Sequence, residues 1–374
     1  MKVGIVCAFD TYFDRVSLLK DFYQQQNVQV KVYASDFSHR KKMKSRESSL
    51  VDAWIDTKPY RKNLSIARLR SHYDFSQKAE KIVEHEKLDV LHVLVPCNAL
   101  VKYMACIKQK EPKTKLIFDL IDLWPETMPI SQIKNVFPFT LWKKIRDKDL
   151  DKADLIFTEC KLYQQVLHKE ADPKYKVLYW ARSEKPLKTH VQIKESELSF
   201  CYLGSMNHII DIEFIEKFLS ACLQYRPVTL HLIGDGESKE QLIQSVRRKG
   251  IQVIDHHKVY DQKEKQEIFD QCNYALNVMK ESVVVGLTMK SLDYMCAQIP
   301  LINTIGGDTR EFCEMYNIGF HVPFDQIEKY AQKVCTQTLQ EQYEQRKQIK
   351  KLYESYFTKE SFMKTMKDAW EKLI

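Results

Sequence analysis

The chain has 374 residues, 44% hydrophobic and 29% charged, with only 9 Gly and 11 Pro, so disorder, collagen-like repeats and low-complexity tracts are excluded as its main theme. At about 100 to 200 residues per domain, this length predicts two domains. The 58 basic and 50 acidic residues leave a net charge of +8, which admits an anionic partner such as a phosphate-bearing substrate or an acidic lipid surface without requiring nucleic acid.

Short β-branched runs alternate with helical stretches along the whole chain, the pattern of parallel sheets covered on both faces. Strands are predicted at 3–8, 28–34, 90–95, 116–120, 155–158 and 176–178. The run Met1-Lys2-Val3-Gly4-Ile5-Val6 reads as part of the first strand and is too short for a signal peptide. A charged, apolar-poor stretch at 183–197 reads as a linker, after which strands recur at 198–203, 229–233, 252–254, 274–278, 301–303 and 319–321. The expected architecture is therefore two Rossmann-like α/β domains, 1–182 and 198–354, facing across a cleft. The tail at 355–374 places Phe357, Phe362, Met366, Trp370 and Leu373 at helical spacing, as expected of an amphipathic helix packing back towards the first domain.

Ten Cys residues lie far apart without a Cys-x-x-Cys pair, mostly in apolar runs, which reads as reduced core thiols in a cytoplasmic protein. No Asp-x-Asp or His cluster has metal-ligand spacing, so no metal or other cofactor is expected. No stretch reaches the roughly 18 uncharged apolar residues of a membrane span, so any membrane contact is expected to be peripheral, on the inner face.

Open α/β sheets bind ligands beyond their strand C-termini, so function is sought in the loops that follow strands. In the first half, Val95-Pro96-Cys97-Asn98 offers Asn98. The segment Ile121-Asp122-Leu123-Trp124-Pro125-Glu126 offers two carboxylates and an aromatic face, or else a capped loop around a half-buried Trp. The segment 60–75, which includes Arg68 and His72, mixes bases with apolar residues at near-helical spacing, and 40–46 adds further positive charge. Both segments are expected either on an anionic bilayer, admitting a lipid-linked acceptor, or as a solvated basic face.

In the second half, Leu203-Gly204-Ser205 follows a strand, and its Gly either lets a phosphate approach the backbone or satisfies a tight turn. Lys280-Glu281-Ser282 and the run 285–295 lie between a strand ending at Val278 and a helix that Thr288 is expected to cap. Lys290 and Asp293 stand three apart, on one predicted helix face. A cation and a carboxylate there suit a diphosphate and a ribose, or make an ordinary surface ion pair.

At 286–302, together with Tyr202-Leu203-Gly204-Ser205 and Leu232-Ile233-Gly234-Asp235-Gly236, the sequence resembles the donor domain of family-4 glycosyltransferases of GT-B fold. The Asp122-x-Trp124-Pro125-Glu126 segment resembles members that build surface polysaccharides such as capsule or exopolysaccharide. The resemblance implies transfer of a sugar from a UDP- or GDP-linked donor to a glycan or lipid-linked acceptor, with retention at the anomeric carbon and no dedicated protein base. Gly204, Ser205, Gly286, Leu287 and Thr288 would then meet the diphosphate and Asp293 the ribose, while Gly234, Asp235, His257 and Val259 would flank the nucleobase. Lys290 and Lys280 would stabilise the leaving group. Asn98, Asp122, Trp124, Glu126, Arg68 and His72 would line the acceptor side.

Two departures from the family pattern stand out. Its Glu-x7-Glu pair becomes Val285 and Asp293, leaving Glu281 as the replacement for the missing sugar-contacting acid, and the loop 8–15 has no Gly. A noncatalytic partner subunit and a sugar-nucleotide epimerase of the same fold are the alternatives. No nucleic-acid reader motif is present.

Overall fold

The computed structural model describes residues 1–128, 136–182 and 186–374. The first three residues of the expected linker, 183–185, lie outside the described residues. The chain divides into two compact units, residues 1–181 with 359–374, and residues 182–358.

In the first unit the order is β1 (Lys2–Cys7), α1 (Phe13–Gln25), β2 (Gln29–Ser35), β3 (Phe37–Ser38), β4 (Met43–Lys44), β5 (Ala53–Ile55), α2 (Ile66–Glu84), β6 (Val90–Val95), α3 (Asn98–Lys110) and β7 (Lys115–Leu120). There follow α4 (Phe139–Leu150), β8 (Leu155–Thr158), α5 (Lys161–Leu167) and β9 (Tyr175–Val177). Seven strands pair in parallel in the order β5-β2-β1-β6-β7-β8-β9. Strand β5 and the antiparallel β3–β4 hairpin were not predicted. Each is two or three residues long, too short for a period-2 signal to emerge.

The second unit comprises β10 (Leu198–Leu203), α6 (Ile212–Leu223), β11 (Val228–Ile233), α7 (Lys239–Arg247), β12 (Gln252–Asp255), α8 (Gln262–Asp270), β13 (Tyr274–Asn277) and α9 (Met289–Cys296). After these come β14 (Leu301–Asn303), α10 (Gly307–Tyr316), β15 (Gly319–His321), α11 (Ile327–Thr336) and α12 (Leu339–Tyr356). Its parallel sheet runs β12-β11-β10-β13-β14-β15. The central strands β10 and β11 are buried along their whole length, as a sheet covered on both faces demands. Helix α6 presents Phe214, Ile215, Phe218 and Leu219 to that sheet.

The last helix, α13 (Lys359–Leu373), belongs to the first unit. It buries Phe362, Met366 and Trp370. Trp370 packs edge-on against Phe22 and Tyr23 of α1, and Lys359 pairs with Asp21 at 2.5 Å. Phe362 lies under the guanidinium of Arg15, whose own bidentate bond to Asp119 is buried in the sheet. The expected boundary at 354 falls inside α12, which runs on to Tyr356 because Tyr353 and Phe357 remain buried in the second unit's core. All ten Cys are free thiols, eight of them buried. Among the described residues no helix is long and apolar enough to cross a membrane.

Candidate functional site

Strand order in the second sheet reverses at β10, with β11 and β12 on one side and β13 onward on the other. The loops after β10 and β13 therefore flank the switch point, where open α/β sheets leave a crevice for ligands. The loop after β10 bonds to the loop after β11 backbone to backbone: Gly204 N donates to Ile233 O at 2.9 Å and Met206 N to Asp235 O at 2.9 Å. Glycine is obligatory at two of these crossings. A Cβ at Gly234 would lie 2.1 Å from Gly204 O, and one at Gly236 would lie 2.3 Å from Met206 O. Both have positive φ, +134° and +153°, where side chains are strained. The result is an open depression of about 520 Å³ lined by Gly204, Ser205, Gly234, Asp235, Gly236, Lys258 and Tyr260.

His257 keeps its side chain in solvent, while its carbonyl accepts from Gly234 N at 2.6 Å. Val259 is buried. Asp235 is held by Lys258 at 3.2 Å.

The loop after β13 is pinned at both ends. Lys280 N donates to Ile209 O at 2.9 Å, and Gly286 O accepts from Thr309 N and Oγ1 at 2.9 and 2.7 Å. Thr288 caps α9 by accepting from Ser291 N at 3.1 Å. A polar chain that the sequence reading missed continues from there: Thr288 Oγ1 to Ser291 Oγ at 2.7 Å, Asn277 Nδ2 to Ser291 Oγ at 3.0 Å, and Asn277 Nδ2 to Asn303 Oδ1 at 2.8 Å. Buried Asn at the last position of two adjacent strands was the available signal. The chain fixes the positive end of α9 against the ends of β13 and β14. Leu287 is buried beneath the loop, whereas Lys280 and Glu281 are exposed.

Lys290 and Asp293 do not share one exposed face, contrary to the spacing argument. Lys290 is only 8% exposed, with Nζ 4.5 Å from the centre of the Tyr202 ring and 3.4 Å from both Tyr202 Oη and Val278 O. Burial pulls its ammonium down to about 7. Asp293 instead meets Arg182, at 2.6 Å. The 100° rotation per residue leaves i and i+3 some 60° apart, enough for one to turn into the core and the other along its rim.

In the first unit the switch point lies between β1 and β6. Asp122, just past β7, accepts from Tyr12 Oη at 2.5 Å, and burial raises its carboxyl to about 6 despite that bond. Glu159, just past β8, is also raised, by burial and then by the charge of Asp122. Neither Tyr12 nor Glu159 was singled out in the sequence, because nothing local marks them.

Four expectations on this side need correction. Arg68 and His72 do not face outward: they are 6% and 4% exposed, bonded to each other at 3.3 Å inside an aromatic cluster of Phe9, Tyr60, Trp124 and Trp142. The apolar face of α2 carries them inward, leaving Arg61, Lys62, Leu64, Ile66 and Arg70 outside. One face of Trp124 is covered by the Arg68 guanidinium, 4.3 Å from the ring centre, so it is not an open stacking platform. Glu126 is engaged by Arg146 through two 2.9 Å bonds and by Lys143 at 3.2 Å. Asn98 is fully buried, and its amide donates to Trp124 O and Trp142 O at 2.8 and 3.2 Å. These last two hold the Asp122 loop in place rather than project from it.

The geometry of glycine-crossed loops beside a capped helix in the second unit coincides with a family match. Residues 197–338 match the model of glycosyl transferases group 1. The match lies wholly within the second unit. No curated protein sequence matches the chain significantly. Solved structures match its fold. The lipopolysaccharide outer core galactosyltransferase WaaB in apo form aligns at 14% identity with a TM-score of 0.69, covering 100% of both chains. HepE from Anabaena, solved with UDP and glucose, aligns at 12% identity and 0.62, again over 100% of both. WaaG, a glycosyltransferase of lipopolysaccharide biosynthesis, aligns at 10% identity and 0.65 over 98% of both. The whole chain thus has the GT-B fold, and the glycosyltransferase domain makes it a transferase.

Proposed function

We propose that the protein transfers a sugar from a nucleoside diphosphate sugar, UDP- or GDP-linked, to a glycan or lipid-linked oligosaccharide in polysaccharide synthesis, with retention at the anomeric carbon. The observation that carries this reading is the match to glycosyl transferases group 1 at 197–338, within which the loops after β10 and β13, holding Gly204 and leading into α9, flank the switch point. HepE, solved with UDP and glucose, favours UDP as the first donor to try.

In this reading the diphosphate lies against the Gly204 and Gly286 loops and the start of α9, where backbone amides and the helix dipole favour an anion. Lys290 supplies the nearby cation. Burial holds its proton weakly, and a diphosphate beside it would hold that proton firmly. Charge that develops on the leaving diphosphate is then met by groups already in place. Asp293 takes the ribose hydroxyls, with Lys280 and Glu281 on the exposed loop nearest the sugar. The acceptor proton departs on the diphosphate, so neither a protein base nor a metal is assigned. Asp122, just past the end of β7 in the first unit, meets the acceptor. The exposed strip of Arg61, Lys62 and Arg70 beside Leu64 and Ile66 is the part of this reading that an anionic membrane surface on the cytoplasmic side would meet.

A thermal-shift panel with UDP, GDP, CDP, ADP and dTDP tests the donor site, since a ligand of the native state alone stabilises by about 2.7 kcal/mol at 100 times its Kd. One diphosphate is expected to shift the wild type and not Asp293→Ala. No shift with any of the five turns the reading to a noncatalytic glycosyltransferase-like subunit, which Val285 at the usual acid position favours.

A further inference from the structure

The first unit holds a concavity of about 320 Å³ apart from the aromatic cluster, beyond the C-terminal ends of the adjacent strands β1, β2 and β5. Asp10 comes from the turn after β1, Ser35 from the end of β2, Ser38 from the β3–β4 hairpin and Trp54 from β5. We propose that this pocket binds one neutral sugar ring of the acceptor glycan, away from the ring that receives the transferred sugar. The proposal rests on the glycosyltransferase reading above.

Its chemistry is that of hydroxyl recognition. Four serines line it, among them Ser45 and Ser48. Asp10 accepts from Ser38 Oγ at 2.5 Å and from His39 N at 2.9 Å, one bond per oxygen. A carboxylate has about four acceptor sites, so capacity remains for the hydroxyls of a ligand. Trp54 is half-buried and meets Phe13 edge-on, with ring centres 6.4 Å apart.

The lining charges balance: Arg40 and Lys41 face Asp10 and Glu47, with Lys41 and Glu47 paired at 2.5 Å. A nucleotide or phosphorylated ligand asks for net positive charge, and an acyl chain asks for an apolar lining. Hydroxyl groups around one aromatic platform in a charge-balanced pocket fit a neutral sugar. Ligand pockets run from about 300 to 1,000 Å³, so this one sits at the small end and holds one ring.

The walls are also preorganised. Buried Asp36 ties the hairpin down by bonds to Lys44 Nζ at 2.6 Å, Arg46 at 3.2 Å and Thr57 N at 2.9 Å. Little ordering is then required when a ligand arrives.

The test is saturation-transfer NMR on the full chain with maltose, lactose, chitobiose and glucuronic acid, run beside the UDP thermal shift. At least one neutral disaccharide is expected to bind, with affinity falling tenfold or more in Trp54→Ala while the nucleotide shift is unchanged. Should Trp54→Ala not fold, Asp10→Asn, which keeps an oxygen for the His39 amide, carries the same comparison. Binding of glucuronic acid alone, no binding, or neutral-sugar binding that survives the substitution overturns the proposal. A nucleotide shift without sugar binding removes this pocket and keeps the donor reading. Sugar binding lost in Trp54→Ala without any nucleotide shift keeps the pocket as a glycan site and removes the donor reading.

Discussion

Arg182 Nη2 lies 2.6 Å from Asp293 Oδ1, so the carboxylate assigned to the ribose is already oriented by a cation from the start of the second unit. Both side chains are about a quarter exposed, 26% and 22%, and pairs of this kind contribute roughly 0 to 1 kcal/mol to stability. Arg182→Ala is therefore expected to leave the melting temperature nearly unchanged. It should weaken the nucleotide diphosphate a few-fold, less than Asp293→Ala does. Equal affinity in Arg182→Ala and wild type removes the positioning role.

Lys290 makes a pH prediction whose sign follows from burial. Its ammonium falls from 10.5 to about 7, so between those values the unfolded chain holds a proton that the native chain has released. Native stability then rises with pH across that window, and the cost of the buried charge is fully present below it. Lys290→Met should be more stable than wild type at pH 6 and lack the rise towards pH 10, while losing most turnover. If the lysine meets the diphosphate, the wild type should take up protons on binding nucleotide at pH 8. Calorimetry in buffers of different ionisation enthalpy reads that uptake directly, and a value of zero eliminates the contact.

Asp122 shifts the other way, from 3.8 to about 6. Between those values the native state keeps a proton that the unfolded state has lost, so this carboxyl lowers stability as pH rises through the window and its charge remains a cost above pH 6. Asp122→Asn still accepts from Tyr12 through its carbonyl oxygen. It should melt higher than wild type at pH 7 and raise the KM for acceptor without changing that for donor. A variant that melts lower would show that the charge is compensated.

The two loop glycines should differ in severity. Gly234→Ala sets a Cβ 2.1 Å from Gly204 O at a φ of +134° and must force the two loops apart, whereas the space around Gly204 is open and its φ of +119° alone resists a side chain. Gly234→Ala should abolish nucleotide binding and lower stability well beyond the ~1 to 3 kcal/mol of backbone strain alone. Gly204→Ala should fall within that range. Urea melts of both variants check the order.

Glu126→Gln tests the reassignment of that residue from ligand to support. Arg146 is fully buried, and removing one partner of a buried pair costs about 3 to 5 kcal/mol. The lower end is expected, because Asp147 at 2.7 Å and Trp124 O at 2.9 Å remain. A near-neutral melting temperature with a large acceptor KM would return Glu126 to the binding site.

Much of the fold was legible because its signals are local. The runs at 198–203 and 229–233 are mostly apolar, broken only by Ser199, Thr229 and His231, as suits strands buried on both faces. Thr288 before a helix start reads as a cap, and the structure gives it that bond. The tail helix was visible in the spacing of Phe362, Met366 and Trp370, since an apolar stripe has to find a core.

What a residue does in the site was decided elsewhere. Spacing alone made Lys290 and Asp293 neighbours on one face, but Tyr202, from a strand 88 residues away in sequence, draws the lysine inward, and Arg182 engages the aspartate. Arg68 and His72 belong to a basic segment by composition, yet the turn of α2 carries them under Trp124. Composition and periodicity determine which elements form and which faces they bury, because those preferences act within a few residues. Charge state and reach depend on which groups from distant strands converge and on how much water they displace, and only the folded chain brings those groups together.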